Sequence, residues 1–203
     1  MENVGAGLAR PEHACAQANL PSSTVVRRCM AREGGLFARR RSLRLRAHDY
    51  ASSGAYFVTI CTHGRAHTLA TPPTGSGEMR LTTSGRLAFE TWHQLPTRFP
   101  RMSADAIVVM PNHVHGIVFL RPQTIETGAG GRTRVAPTSL SAIIGAYKSI
   151  STRAINAQRG TSAPVWQRSY FERVIRNQPE LDAIREYIAN NPKQWTLDRE
   201  NRV

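Results

Sequence analysis

The sequence predicts an α+β domain of the ferredoxin-like, split β-α-β type: an antiparallel sheet with one further helix at its C-terminal end. Three observations carry this. Apolar strand signals and helical periodicities alternate in the order β-α-β-β-α-β-α. The two middle strands are separated only by Pro111-Asn112, the dipeptide of a tight hairpin. No internal repeat replaces that order with a solenoid.

The elements follow in chain order. Ala55 to Thr62 (AYFVTICT) is β-branched and aromatic, which predicts a strand. Residues 64–82 hold TPPTGSG and read as a loop. From Ser84, taken as N-cap, Leu87, Ala88, Trp92 and Leu95 recur at helical spacing, and Pro96 and Pro100 end that helix. Ala104–Met110 and His113–Leu120 are two apolar strands. Residues 121–137 form a glycine-rich loop. A helix then starts near Thr138 or Ser139 and buries Leu140, Ile143, Ile144, Tyr147 and Ile150. Pro164–Ile175 alternates as a strand. Pro179–Asn191 is the last helix, with Leu181, Ile184 and Ile188 as its buried stripe and Pro192 closing it. Such a fold leaves one sheet face open, a surface that many nucleic-acid binders use.

The chain has 203 residues and 40% hydrophobic residues, enough for one core. Residues 1–38 show no sustained period and are expected to be a flexible tail; 39–198 form the domain, and 199–203 a short tail. No run of about 18 apolar residues is present, so no transmembrane helix and no membrane partner are expected. The N-terminus has no apolar stretch of the secretory kind, and Cys15, Cys29 and Cys61 form no CxxC pair. A cytoplasmic, nucleoid-associated setting follows. The 27 basic and 14 acidic residues give a net charge of +13, which favours a polyanion, most often nucleic acid. All but Lys148 and Lys193 of the basic residues are arginine. Phosphate recognition by the guanidinium fork and the codon bias of a GC-rich genome both produce that skew. The run Arg39, Arg40, Arg41, Arg44 and Arg46 reads either as a solvated arm or as a phosphate clamp.

His113-Val114-His115 is the sharpest local feature. Residues i and i+2 of a strand share one face, about 7 Å apart at Cα, so two imidazoles there can close on one metal or stand as a surface pair. Tyr187 and Asn191, four apart, share one face of the last helix, with Glu180 two turns earlier on the same side. By spacing alone they are a boundary tyrosine and a helix C-terminal residue. Trp166, Gln167, Arg168, Tyr170 and Phe171 form an aromatic-basic run, able to stack bases or to be a core strand. Asn112 and Lys148 are further candidates near the histidines, and Trp195 is expected to pack the C-terminal segment.

Four collinear stretches together resemble the single-tyrosine insertion-sequence transposases of the HUH type, and most closely the REP-associated tyrosine transposases. They are RRSLRLRAHDYASSGAYFVTICTHGR, VVMPNHVHGIV, GAYKSISTRAIN and VWQRSYFERVIRNQPELDAIREYIANNPKQWTLD, within residues 40–198. The resemblance implies that His113 and His115 are metal ligands and that Tyr187 is the nucleophile. It also implies that Asn191 is the third ligand, where the insertion-sequence branch usually has Gln. It further implies a divalent metal, Mg²⁺ or Mn²⁺, and cleavage of single-stranded DNA beside hairpins of repetitive palindromic elements through a 5′-phosphotyrosine. A monomer is favoured over a dimer. Arg39, Arg40, Arg41, Arg44, Arg46, Arg168 and Lys148 are the expected DNA contacts. The alternatives are a hairpin-DNA binder of the same fold that does not cut, and an RNA-binding ferredoxin-like domain. The latter lacks its glycine-aromatic signature here.

Overall fold

The computed structural model describes residues 52–72, 79–122 and 138–197. The expected tails at 1–38 and 199–203, and the arginines from Arg39 to Arg46, lie outside the described residues. Strand β1 (Gly54–Cys61) leads into a 3₁₀ turn (His63–Arg65) and two very short strands, β2 (Ala70–Thr71) and β3 (Arg80–Leu81). Helix α1 (Thr83–Arg98), strands β4 (Met102–Val109) and β5 (His113–Leu120), helix α2 (Leu140–Arg159) and strand β6 (Phe171–Ile175) follow. Helix α3 (Gln178–Asn190) runs directly into a 3₁₀ segment, Asn191–Leu197. The main sheet has the order β4-β5-β1-β6 with every neighbouring pair antiparallel. That is the ferredoxin-like α+β fold. Each β-α-β unit is split, β5 lying between β1 and β4, and β1 between β5 and β6.

Alternation along the strands sorts the two faces. Tyr56, Val58 and Ile60 of β1 and Val114 and Val118 of β5 join Ala88, Trp92, Leu95, Ile143, Ile144 and Tyr147 of α1 and α2 in the main core. Gly116 faces the same way because the Trp92 ring needs its space: a Cβ there would stand 2.5 Å from Trp92 Cζ2. The opposite parity, Phe57, Thr59, His113, His115 and Ile117, is buried too, on the other side of the sheet.

That second burial corrects the expectation of an open face. Helix α3 covers it. Its stripe of Leu181, Ile184 and Ile188 must leave water, the Phe57 ring meets Tyr187 edge-on at 6.2 Å, and Asp105 of β4 is ion-paired with Arg185.

Four boundaries also differ. Thr82, not Ser84, caps α1, its Oγ1 accepting from Gly85 N at 3.1 Å. Pro96 sits inside the last turn, where it forfeits its own bond to the Trp92 carbonyl but leaves little helix beyond it to disrupt, and α1 ends beside Pro100. Residues 164–170 do not continue a strand. Only a bridge between Thr62 and Trp166 precedes β6, because Lys148 Nζ draws the carbonyls of Gln167 (2.9 Å), Arg168 (3.3 Å) and Ser169 (2.9 Å) out of any ladder. Pro192 converts α3 to a 3₁₀ path without stopping the chain.

Candidate functional site

The site is built where β5 begins. Asn112 closes the hairpin turn and is wholly buried. Its carbonyl oxygen accepts from Thr62 N at 2.9 Å and from Thr62 Oγ1 at 3.0 Å, so the turn is bolted to the end of β1. Its side-chain Oδ1 lies 2.8 Å from His113 Nδ1. Two residues on, His115 faces Thr59 across the β1–β5 ladder, and Thr59 Oγ1 lies 2.9 Å from His115 Nδ1. The two imidazoles are neighbours, with ring centroids 4.4 Å apart, and Phe57 stacks on His115 at 5.2 Å.

Helix α3 closes the site from above. The Tyr187 hydroxyl lies 3.3 Å from His115 Nε2. Two turns later the indole of Trp195, in the 3₁₀ segment, lies 6.1 Å from the His113 ring and 5.4 Å from His67. Asn191 stands midway between Tyr187 and Trp195 in sequence, four residues from each. It is 3% exposed, and its Oδ1 is buried with no hydrogen-bond partner among the described residues. A buried amide oxygen left in this way costs free energy unless something binds it.

Burial takes both histidines out of the charged form. His115 is pushed down to about 3 by burial. His113 is held well below the ordinary imidazole value, first by burial, then by the positive fields of His115, Arg65 and His67. Both rings are therefore neutral at pH 7, the form that ligates metals. Among the described residues no three His, Cys, Asp or Glu side chains gather into a metal site. Two buried imidazoles and, on the covering segment, the buried amide oxygen of Asn191 are donor types that could hold Mn²⁺ or Mg²⁺.

The structure thus brings His113, His115 and Tyr187 together and buries Asn191 on the same segment. Arg168 is exposed. Lys148 is half-buried on its three carbonyls and 5.4 Å over the Tyr170 ring, a strap across residues 167–170. Trp166 is a core residue, 7% exposed, its indole N–H donating to Ser151 Oγ at 2.9 Å, so it is no stacking platform. Sequence reasoning missed Thr59, Arg65 and His67. Thr59 was legible: it falls on the face of β1 that the β1–β5 pairing turns toward the histidines. Arg65 carries φ 57, a left-handed conformation uncommon outside glycine, directly after Gly64 at φ 60. Strain of that kind gathers at functional sites.

Fold and site define an α+β protein whose sheet face presents a histidine pair to a tyrosine-bearing helix. The fold is similar to that of the REP-associated tyrosine transposase solved bound to a REP hairpin, with TM-score 0.53, 20% identity and 77% of each chain covered. In sequence the chain is 31% identical over 175 residues to an uncharacterized protein of Haemophilus influenzae, covering 79% of this chain and 92% of that one. It belongs to the same family as that protein. No family model matches the chain. No helix among the described residues is long and apolar enough to cross a membrane.

Proposed function

We propose that the protein is a REP-associated tyrosine transposase of the HUH type: a metal-dependent single-stranded DNA endonuclease and strand transferase acting beside hairpins. The observation that carries this reading is the approach of the Tyr187 hydroxyl to His115 Nε2, 3.3 Å across 72 residues of sequence. It sets a candidate nucleophile on a buried, neutral histidine pair. The likeness in fold to a transposase bound to a REP hairpin supports the same reading, as does the +13 charge.

His113, His115 and Asn191 would hold the divalent cation, Mg²⁺ or Mn²⁺. When bound, it supplies Lewis-acid polarisation of a phosphoryl oxygen. The chain's own residues do the rest. Tyr187 attacks phosphorus in line: its Oη loses the phenolic proton as the Oη–P bond forms, the P–O3′ bond breaks, and the released oxygen takes up a proton to leave as a 3′-OH. The 5′-phosphotyrosine conserves the phosphodiester bond energy, so attack by another 3′-OH rejoins strands without ATP. Phe57 and Trp195 keep water from the histidine rings. Arg65 places positive charge beside His113, where a phosphate would sit.

The test is incubation with single-stranded oligonucleotides of palindromic repeats and Mn²⁺, read on denaturing gels. Wild type should give a covalent protein–DNA band that EDTA, Tyr187→Phe and His113→Ala each abolish. Binding without cleavage across several repeats and both metals would select the non-cleaving hairpin binder. Cleavage surviving Tyr187→Phe would remove Tyr187 as nucleophile.

A further inference from the structure

We propose that Asn112 and Thr59 are positioning residues that lock His113 and His115 as Nδ1–H tautomers, so that both Nε2 lone pairs are presented to one divalent cation. The inference rests on the metal reading above and goes beyond it, because it assigns how the ligands are oriented.

The chemistry is asymmetric. An amide oxygen only accepts, so Asn112 Oδ1 at 2.8 Å requires the proton on His113 Nδ1. A hydroxyl can donate or accept, so Thr59 alone does not decide the tautomer of His115. The metal reading does: a cation held at Nε2 needs the lone pair there, which puts the ring proton on Nδ1, donated to Thr59 Oγ1 at 2.9 Å, and in the same tautomer the Tyr187 hydroxyl, 3.3 Å from Nε2, is the donor. Neutral imidazole carries one proton and one lone pair, so each assignment is complete.

Both positioning residues are themselves immobilised. Thr59 is 4% exposed and lies in the ladder directly opposite His115. Asn112 is wholly buried, with its backbone oxygen held twice by Thr62. A ligating histidine usually gives its other N–H to such a fixed acceptor, which sets ring orientation and raises ligand basicity. This chain supplies one acceptor from the residue before the first histidine and one from the strand paired with the second.

Two measurements test it on the full chain. Long-range ¹H–¹⁵N correlation of the metal-free protein should show His113 and His115 both protonated at Nδ1. An Nε2–H form of either in wild type overturns the proposal. Titration calorimetry with Mn²⁺ should show Thr59→Val and Asn112→Ala weakening binding about 10- to 100-fold, the range usual for outer-shell partners of ligating histidines. Asn112→Asp keeps the acceptor and should bind within a few-fold of wild type. Thr59→Val is isosteric, so it remains informative if Asn112→Ala does not fold. Wild-type affinity in both variants overturns the positioning role while leaving the metal site standing. A wild type that binds no Mn²⁺ at all removes the metal reading and the ligand role with it, whatever the tautomers.

Discussion

The Tyr187 hydroxyl and a metal ion would use the same electrons. The Tyr187 hydroxyl lies 3.3 Å from His115 Nε2, and in the Nδ1–H tautomer proposed above that nitrogen has a single lone pair, to which the hydroxyl donates. A cation held by His115 would therefore displace the tyrosine from that hydrogen bond and free it toward substrate. Tyr187→Phe should tighten Mn²⁺ binding about two- to tenfold, the equivalent of one net hydrogen bond of roughly 0.5–1.5 kcal/mol. Calorimetry of the two proteins checks this. Weaker binding by the variant would make Tyr187 a ligand instead of a competitor.

Gly116, next to His115 on β5, faces the core. A Cβ at this position meets Trp92 Cζ2 at 2.5 Å and Cη2 at 2.7 Å, and the Trp92 ring is itself fixed edge-on against Tyr147 at 5.5 Å. Gly116→Ala should cost about 1–3 kcal/mol by overpacking. Gly145, on the exposed side of α2, has nothing within 4 Å of its would-be Cβ. There the same substitution should stabilise by about 0.5–1 kcal/mol, since it only removes the entropy cost of a helical glycine. Urea denaturation should move the two midpoints in opposite directions with little change in slope.

Lys148 gives a pH signature. Burial pushes its ammonium down to about 8 from 10.5, while Cys61 acts weakly in the other direction. The folded protein then loses this proton before the unfolded chain does. Between about pH 8 and 10.5 the unfolded state binds more protons, so this group makes stability rise with pH, and below 8 the slope vanishes. The stability difference between wild type and Lys148→Met should drift in favour of wild type across that window. It should be flat from pH 6 to 7.5. A difference that stays flat through pH 10 would mean that the three carbonyls hold the charged form as firmly as water does.

Much of this was legible in the residues because strands and helices have fixed periods. The alternation of HVHGIVFL alone puts His113 and His115 on one face and Val114 on the other, and i,i+4 spacing puts Tyr187 and Asn191 together. What the sequence did not convey lies in how elements meet. The stripe of α3 was visible, but not that it would seal the sheet face assumed open. Residues 164–170 look like strand because Val165 and Trp166 are buried. Only the reach of Lys148 to three carbonyls shows why no ladder forms there. Arg65 and His67 sit in a segment without periodicity, and the hydrogen bonds of Thr62 to Asn112 O and of Leu69 N to Pro111 O bring that segment beside the histidines.

That attached segment yields the last prediction. The turn at Thr62–Leu69 is anchored at both ends to the Pro111-Asn112 hairpin, by 2.9 and 3.0 Å backbone bonds. The charge of Arg65 is accordingly delivered to a fixed place near His113. A fixed cation neutralises a phosphate at low entropic cost, and each neutralised phosphate on a single strand contributes about 0.7 to the slope of log affinity against log salt. Arg65→Ala should therefore weaken binding of a single-stranded hairpin oligonucleotide and make that slope shallower by about 0.7. Arg153 lies exposed on α2, across the sheet from α3, with its guanidinium on Ser149. Arg153→Ala should leave the slope within error of wild type. Equal losses in both variants would mean that DNA responds to the net charge of +13 and not to the site.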